Sequence, residues 1–524
     1  MNEKKKFSHK AIEWLKNPYH VIFLCILLVA TILRLKYYNV NLGLWWDEGE
    51  YLLKAKNWAF GTPITAYWEA RPMTLTLIWA LLLKLGASEA VLRFLTELLP
   101  SIGSIIFMYL LGKEMYNEKV GLISAACMSV FWLHLFFTTR LLMDLPGLFF
   151  ALASCYFFWK GFIKKHHRKY IWLTAIFTIL TILTKYNDGI ILLIFLIVLF
   201  MAERFAFLKN KQIWIVIGVI TLVIIIPYMI FNYVSFGNPL PALTIYILSE
   251  KTSAIQQFDS PAWYVFNYFL EFLFTFWFII CIIGIVMTLW RLILGIDLLW
   301  KKKDAKMLSD LFSLLLILLP LIFFAFIYKT AVHQYLFLMT PALFMMIGKA
   351  AASLYDVIER YNKYIGIAVI VAIVAIGGYY QLKHADGIIE NKKGTYKELK
   401  DAGIWVKENS NPEDPVVITS NQMEFAAYAE RPILSEGHNR SHFEEILEKG
   451  QTVGAMYVKG RPKFIVVSFL FNNPNLPWLV QYLQENKERF IPVQAYFIDQ
   501  EKKQPGAVIF RINYEKSPVT KNNQ

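Results

Sequence analysis

The chain has 524 residues, of which 57% are hydrophobic and 18% are charged, and its mean hydropathy is +0.44. A soluble domain is about half apolar and about a quarter charged, so the composition indicates a polytopic membrane protein. The net charge of +14 does not indicate a nucleic-acid partner, because the basic residues lie in short clusters between apolar runs. The four cysteines all lie in apolar runs, which excludes a disulfide framework or a cysteine-based metal site.

The N-terminus is basic and leads into the first apolar run. No small-x-small cleavage site precedes the loop that follows, so we predict an uncleaved anchor with a cytoplasmic N-terminus. A helix needs about 20 apolar residues to cross a bilayer. On that basis the sequence predicts about eleven transmembrane helices, near residues 20–38, 94–112, 120–139, 145–160, 170–185, 189–203, 212–231, 263–290, 308–328, 334–349 and 364–381.

One further apolar segment, Met73–Gly86, is short and is bounded by Lys84 and Glu89. We predict that it lies in the outer interface and does not span the membrane. With this arrangement the cytoplasmic segments carry about twice as many lysines and arginines as the outer segments, which is typical of membrane proteins. Counting Met73–Gly86 as a span would place the basic cluster at residues 164–169 outside.

The composition changes after Tyr380. We predict a transmembrane domain at residues 1–381, with a large first outer loop at 39–92, and a soluble extracytoplasmic α/β domain at 382–524. The second prediction rests on short β-type runs that alternate with helical patterns. The β-type runs are Val416–Thr419, Phe464–Val467, Val493–Ile498 and Ala507–Ile512, and the helical patterns are Tyr396–Glu408, Phe443–Glu448 and Trp478–Lys487.

The first outer loop opens with the stretch Asn41–Glu50, which places three carboxylates beside Trp45 and Trp46. Tryptophan suits the depth at which a helix leaves the bilayer, since its ring is apolar and its N–H needs a polar partner. Ionisable groups near lipid are costly and are usually functional. The alternative is a solvated loop that happens to be acidic.

The rest of the first outer loop and the outer ends of the later spans add polar residues of both signs. Cations above an apolar groove suit a lipid with a phosphate head, and a carboxylate beside them could take a proton from a hydroxyl or amine. A single displacement at a sugar phosphate would invert the anomeric centre. For each residue the alternative is an ion pair or a snorkelling cation at a helix end. The residues are Glu69, Arg71, Arg140, Asp144, Lys185, Tyr186, Asn187, Asp188, Lys329, His333, Gln334 and Tyr335.

An ordered set of motifs resembles a known family. The set is Leu-Trp-Trp-Asp-Glu-Gly-Glu-Tyr at 44–51, Arg71-Pro72, Arg93-Phe94, and Arg140-x-x-x-Asp144-x-Pro146. It resembles the protein O-mannosyltransferases and lipid A aminoarabinose transferases, which are membrane glycosyltransferases of the GT-C type that use polyprenyl-phosphate-linked sugars. The resemblance covers roughly residues 20–200, and the C-terminal region is similar to extracytoplasmic α/β domains found in many members.

The resemblance implies roles for individual residues. Asp47 is implied to be the catalytic base, Glu48 its partner, and Asp144 the aspartate of the second outer loop. The residues implied to contact the phosphate of the sugar donor are Arg71, Lys185, Arg140, His333 and Tyr335. Some relatives bind a divalent metal near this loop. A metal is therefore left open, with Glu69 as the candidate ligand, and no other cofactor is expected.

The expected function is the transfer of a hexose or pentose from a polyprenyl-phosphate donor, such as a dolichyl-phosphate mannose, to a protein, lipid or glycan. The reaction is expected at the outer face of the plasma membrane, with no nucleic-acid partner. One alternative is a transporter or flippase of lipid-linked sugars, which should show inverted repeats or broken helices at mid-membrane. Central stretches such as Ile190–Phe200 are uninterrupted. A non-catalytic assembly protein would leave the acidic loop unexplained.

Overall fold

The computed structural model describes residues 13–38, 40, 43–64, 71–165, 167–245, 261–329, 332–419, 422–453, 456–470, 473–499 and 501–516. Within these ranges nine helices are long and apolar enough to cross a membrane, and a bent pair makes ten if it is counted as one span. The chain is therefore a multi-pass α-helical membrane protein, as its composition predicts.

The helices that precede the C-terminal region are named here in chain order. They are α1 (Pro18–Tyr37), α2 (Trp46–Phe60), α3 (Thr74–Lys84), α4 (Glu89–Met115), α5 (Glu118–Val130), α6 (Trp132–Thr138), α7 (Asp144–Ile163), α8 (Arg168–Thr184), α9 (Tyr186–Glu203), α10 (Lys211–Phe236), α11 (Tyr264–Leu294), α12 (Ala305–Ile327), α13 (His333–Ile358) and α14 (Lys363–Lys392). Short helical turns lie at Ala206–Lys209, Pro241–Leu243 and Leu298–Lys302.

Each of the eleven predicted spans coincides with helix in the structure. The predicted span at 120–139 is bent by 55° between α5 and α6, and α8 has 17 residues, so neither counts as a straight span. The prediction for Met73–Gly86 is confirmed in its length, because α3 has only 11 residues. At 1.5 Å per residue α3 is about 16 Å long, roughly half of the hydrocarbon thickness.

Local sequence explains where several helices begin. At α1 the side chain of Asn17 accepts a hydrogen bond from the backbone N–H of Tyr19, and Pro18 occupies the first turn, where its missing N–H costs nothing. At α5 the side chain of Asn117 accepts from the N–H of Val120 in the same way.

The C-terminal region contains a mixed sheet, so the predicted α/β class is confirmed. In chain order the elements are α15 (Lys397–Asn409), β1 (Val416–Ile418), α16 (Gln422–Ala429), β2 (Ile433–Leu434), α17 (Arg440–Lys449), β3 (Gln451–Val453), β4 (Met456–Val458), β5 (Phe464–Ser468), α18 (Leu476–Glu485), β6 (Phe490–Phe497) and β7 (Pro505–Ile512). The strand order is β2-β1-β5-β7-β6, in which β1 pairs in parallel with β2 and β5, while β7 pairs antiparallel with β5 and β6. Strands β3 and β4 form a separate antiparallel ribbon.

One charged residue of the first span lies entirely inside the protein. The Arg34 side chain is fully buried. Its Nε donates to Ser101 Oγ at 2.7 Å, its Nη1 donates to the carbonyl oxygen of Ser129 at 2.9 Å, and its Nη2 lies 2.6 Å from His134 Nδ1. These partners belong to α4, α5 and α6, so the guanidinium joins α1 to three later helices.

Candidate active site

Asp47, Glu48 and Glu50 lie at the start of α2, in a segment called here the acidic turn, and Glu48 caps the helix. The side chain of Glu48 is fully buried. Its Oε2 accepts from the backbone N–H of Trp45 at 2.7 Å, and its Oε1 accepts from the backbone N–H of Leu141 at 2.5 Å. A carboxylate at the start of a helix is also favoured by the helix dipole. Glu48 therefore fixes α2 against the loop that begins after α6.

Two arginines surround Glu48. Arg140 Nη1 lies 3.3 Å from Glu48 Oε2, and Arg93 Nη1 lies 3.9 Å from Glu48 Oε1. The Arg140 guanidinium also stacks over the Trp45 ring at 3.7 Å. Burial lowers the pKa of Arg140 to about 10, so it remains charged at neutral pH. Its Nε and Nη2 are buried without a hydrogen-bond partner among the described residues.

Asp47 and Arg71 meet at the mouth of this cluster. Arg71 Nη2 lies 2.5 Å from Asp47 Oδ1 and 2.9 Å from Glu50 Oε2, and Arg71 Nε donates to Glu50 at 3.0 Å. The side chain of Asp47 is 46% exposed, whereas that of Glu50 is 4% exposed. Asp47 is thus the carboxylate of the acidic turn that an incoming molecule can reach.

Asp144 and Lys185 form a second, buried pair. Lys185 Nζ lies 2.8 Å from Asp144 Oδ1 and also donates to the carbonyl oxygen of Gln334. Asp144 is the first residue of α7, Lys185 lies between α8 and α9, and Gln334 lies at the start of α13. The pair therefore connects the ends of four helices.

Tyr335 lies between these two pairs. It is within electrostatic range of Asp47 and Arg71 on one side and of Asp144 and Lys185 on the other. Its ring stacks on that of Phe324 with centroids 5.2 Å apart. The structure thus brings Tyr335 close to both ion pairs, and its contact with the donor phosphate stays a prediction.

His333 faces a different neighbour. Its Nε2 lies 2.8 Å from Glu271 Oε1, and its ring packs against Tyr268 and Trp132. The sequence predicts that His333 contacts the donor phosphate. In the structure it lies two residues from Tyr335 in the chain, but its side chain contacts α11 and α6. Glu69, the candidate metal ligand, lies outside the described residues.

Sequence reasoning missed the pairing of Glu50 with Arg71 and of Arg93 with Glu48. Glu50 follows Asp47 by three residues on a helix, so the two carboxylates share one face, which is a signal that was available. The approach of Arg93 to Glu48 depends on tertiary packing and had no local signal.

The described residues contain no group of three or more histidine, cysteine, aspartate or glutamate side chains placed to hold a metal ion. The residues present in the acidic turn instead pair with arginines, which occupy the oxygens that a divalent cation would need. The described residues of the acidic turn therefore do not form a metal site.

Comparison with known proteins relates this helical bundle and its sheet-containing C-terminal region to one protein family and to several solved structures. Residues 70–231 match the family model described as "Dolichyl-phosphate-mannose-protein mannosyltransferase". The resemblance predicted from the motifs is thus confirmed. A search among curated proteins found no match.

Two solved structures show the similarity of fold. ArnT from Cupriavidus metallidurans, in a structure bound to undecaprenyl phosphate, is 14% identical with a TM-score of 0.62, and the match covers 93% of this chain and 97% of that one. The oligosaccharyltransferase AglB from Archaeoglobus fulgidus, in complex with an inhibitory peptide and a dolichol-phosphate, is 14% identical with a TM-score of 0.61, covering 95% of this chain and 75% of that one.

Proposed function

We propose that the protein transfers a sugar from a polyprenyl-phosphate donor to a hydroxyl or amine acceptor, with inversion at the anomeric carbon. Asp47 is the general base in this proposal. The supporting observation is that the half-exposed Asp47 carboxylate stands beside the cation Arg71 and next to Glu48, whose partner Arg140 lies just before the membrane-spanning helix α7. A lipid-borne phosphate and an incoming acceptor would meet at that depth.

Glu48 and Asp47 have different roles in the acidic turn. Glu48 is fully buried and accepts two backbone N–H groups, so its task is to hold the turn. Asp47 has one arginine partner and an open side. It can accept the acceptor's proton while the anomeric C–O bond to the phosphate breaks and the new glycosidic bond forms.

In this proposal Arg71 makes the activity of Asp47 depend on whether the donor is bound. In the structure it pairs with Asp47, so it occupies one oxygen of that carboxylate. The donor phosphate is a diester with one negative charge, and its two free oxygens can bind a guanidinium in a two-pronged geometry. Binding of the donor phosphate to Arg71 would therefore release Asp47, so the base becomes active when the donor is in place.

Lys185 is proposed to supply the second cation for the phosphate, held in place by Asp144 and Gln334. Arg140 and Tyr335 extend the same donor side in this proposal. A cation that is already desolvated and oriented loses little freedom when it stabilises the charge that develops on the leaving phosphate. His333 is the weakest member of the proposed set, because Glu271 already faces it.

The proposal is tested with membranes that contain the protein and a panel of labelled polyprenyl-phosphate sugars, followed by identification of the labelled acceptor. Asp47→Asn should lower the transfer rate by about 10²–10⁴-fold with nearly normal donor affinity. Asp386→Asn is a matched control, because Asp386 is also half-exposed and lies 2.6 Å from a cation, Lys36. Equal rates in the two variants would remove Asp47 from catalysis.

The proposed geometry places the active site and residues 382–524 on the extracytoplasmic side of the plasma membrane, with the N-terminus in the cytoplasm. The support is the excess of basic residues in the segments assigned to the cytoplasm.

A further inference from the structure

The acidic turn is held between two backbone contacts with the C-terminal region. Gly43 precedes the turn and Gly49 directly follows Glu48. A Cβ atom at residue 43 would lie 2.5 Å from the carbonyl oxygen of Tyr396, and one at residue 49 would lie 2.6 Å from the carbonyl carbon of Met423. Backbone atoms cannot rotate away as a side chain can, so only glycine allows this approach.

An ion-pair cluster fastens α2 to the segment that contains α16. Lys56 Nζ lies 2.7 Å from both the carbonyl oxygen of Ala427 and Glu430 Oε1, and Glu430 Oε2 lies 2.7 Å from Lys407 Nζ. The side chains of Lys56 and Glu430 are only 16% and 19% exposed. Water and salt therefore screen this contact less than an ordinary surface pair.

A second chain of contacts runs from α16 to the buried carboxylate of the turn. Tyr428 Oη donates to Glu89 Oε2 at 3.3 Å, and Arg93 donates to Glu89 Oε1 at 2.8 and 3.0 Å. Arg93 in turn lies 3.9 Å from Glu48. The position of α16 and that of Glu48 are thus coupled through side chains as well as through the glycine contact.

We propose that docking of α16 sets the catalytic position of the acidic turn, with Met423, Tyr428 and Glu430 as positioning residues. This inference rests on the proposed role of Asp47. In the docked state α2 is held at both of its ends, by Met423 near its start and by Glu430 near Lys56. Without docking α2 can shift, and a displacement of about 1 Å at a reacting group can lower a rate by about 10²-fold.

The principal test compares Gly49→Ala with Gly387→Ala in the full-length protein. A Cβ atom at Gly387 would meet no atom within 4 Å, so that variant adds the same methyl group without a collision. Docking is measured by hydrogen–deuterium exchange in peptides covering α2 and α16, which does not depend on activity. Gly49→Ala should exchange faster in both helices and lower kcat about 10²-fold, with donor Kd within about threefold of the wild-type value.

A second pair of variants keeps the inference testable if Gly49→Ala does not fold. Lys56→Met removes the charge that Glu430 and Ala427 contact, whereas Lys56→Arg keeps it. Loss of such a charge-assisted contact should shift the docking equilibrium by about 10- to 150-fold. Exchange in α16 should rise and kcat should fall in Lys56→Met, and both should recover toward wild type in Lys56→Arg.

The outcomes separate this inference from the proposed function. If exchange in α2 and α16 rises while kcat is unchanged, docking does not position the turn and the inference is overturned. Unchanged exchange in Gly49→Ala would also overturn it. If the wild-type protein transfers no sugar from any donor in the panel, the proposed function fails and the positioning role falls with it, whereas the exchange data still report the docking.

Discussion

At the scale of single residues, the site contains two kinds of ion pair. The Asp47–Arg71 pair is half-exposed at Asp47 and can exchange partners, whereas Asp144 and Lys185 are each about 10% exposed at the side chain. A buried pair is costly to break, because the residue left behind keeps its charge without water. The first pair is therefore suited to exchanging partners during the reaction, whereas the second keeps Lys185 and the helix ends in a fixed position for the proposed phosphate contact.

The buried pair can be examined through a double-mutant comparison. Asp144→Leu and Lys185→Met should each destabilise the protein by about 3–5 kcal/mol, because each leaves one buried charge unpaired. The double variant should be less destabilised than the sum of the two. Unfolding in detergent followed by intrinsic fluorescence measures this, and additive losses would show that the two side chains do not interact.

Arg71 is predicted to contact the donor phosphate. Arg71→Met should weaken binding of polyprenyl phosphate without its sugar by roughly 10- to 150-fold, the effect of losing one charge-assisted contact of about 1.5–3 kcal/mol. Lys84→Met, at an exposed cation at the end of α3, is the control. Binding is measured by titration in nanodiscs, and equal affinities for the two variants would place the phosphate elsewhere.

At the scale of elements, hydropathy predicted the spans, and β-type runs predicted strands β1, β5, β6 and β7 of the five-stranded sheet but not the two-residue strand β2. The sequence pattern did not predict α16, because its eight residues Gln422–Ala429 are too few to show a helical period. The partners of Glu48 were likewise hidden, since Arg93 and Arg140 are 45 and 92 residues away in sequence. Helix packing brings them together, and no local pattern records it.

The α2–α16 contact should be sensitive to acid. Burial alone would raise the pKa of Glu430, but Lys56 and Lys407 outweigh it, so the net pKa is lowered. A lowered pKa contributes stability above the unfolded value of about 4.3, and that contribution is lost as pH falls through the folded-state pKa.

Hydrogen–deuterium exchange in α16, corrected for the intrinsic rate, should therefore rise below about pH 4.3 in the wild type. In Glu430→Gln the exchange of α16, corrected in the same way, should lose most of its pH dependence. Identical pH profiles for the two proteins would show that Glu430 does not carry the acid sensitivity.

At the scale of the whole molecule, the prediction is topological. Lys487 and Lys302 are both exposed lysines, one in the C-terminal region and one in the turn between α11 and α12. In a Cys25→Ser background, Lys487→Cys should react with a membrane-impermeant maleimide on intact cells, and Lys302→Cys should react only after the cells are opened. Labelling of Lys302→Cys alone on intact cells would invert the topology.

The buried Arg34 has a consequence for how the protein is made. When α1 emerges from the ribosome, its partners Ser101, Ser129 and His134 have not yet been synthesised. At that stage the guanidinium can be solvated only by reaching toward the membrane surface. It can move into the protein only after α4, α5 and α6 have entered the bilayer, so α1 is inserted before these helices but reaches its final position after them. Mutations that remove the Ser101 hydroxyl or the His134 ring should therefore act as biogenesis defects of α1.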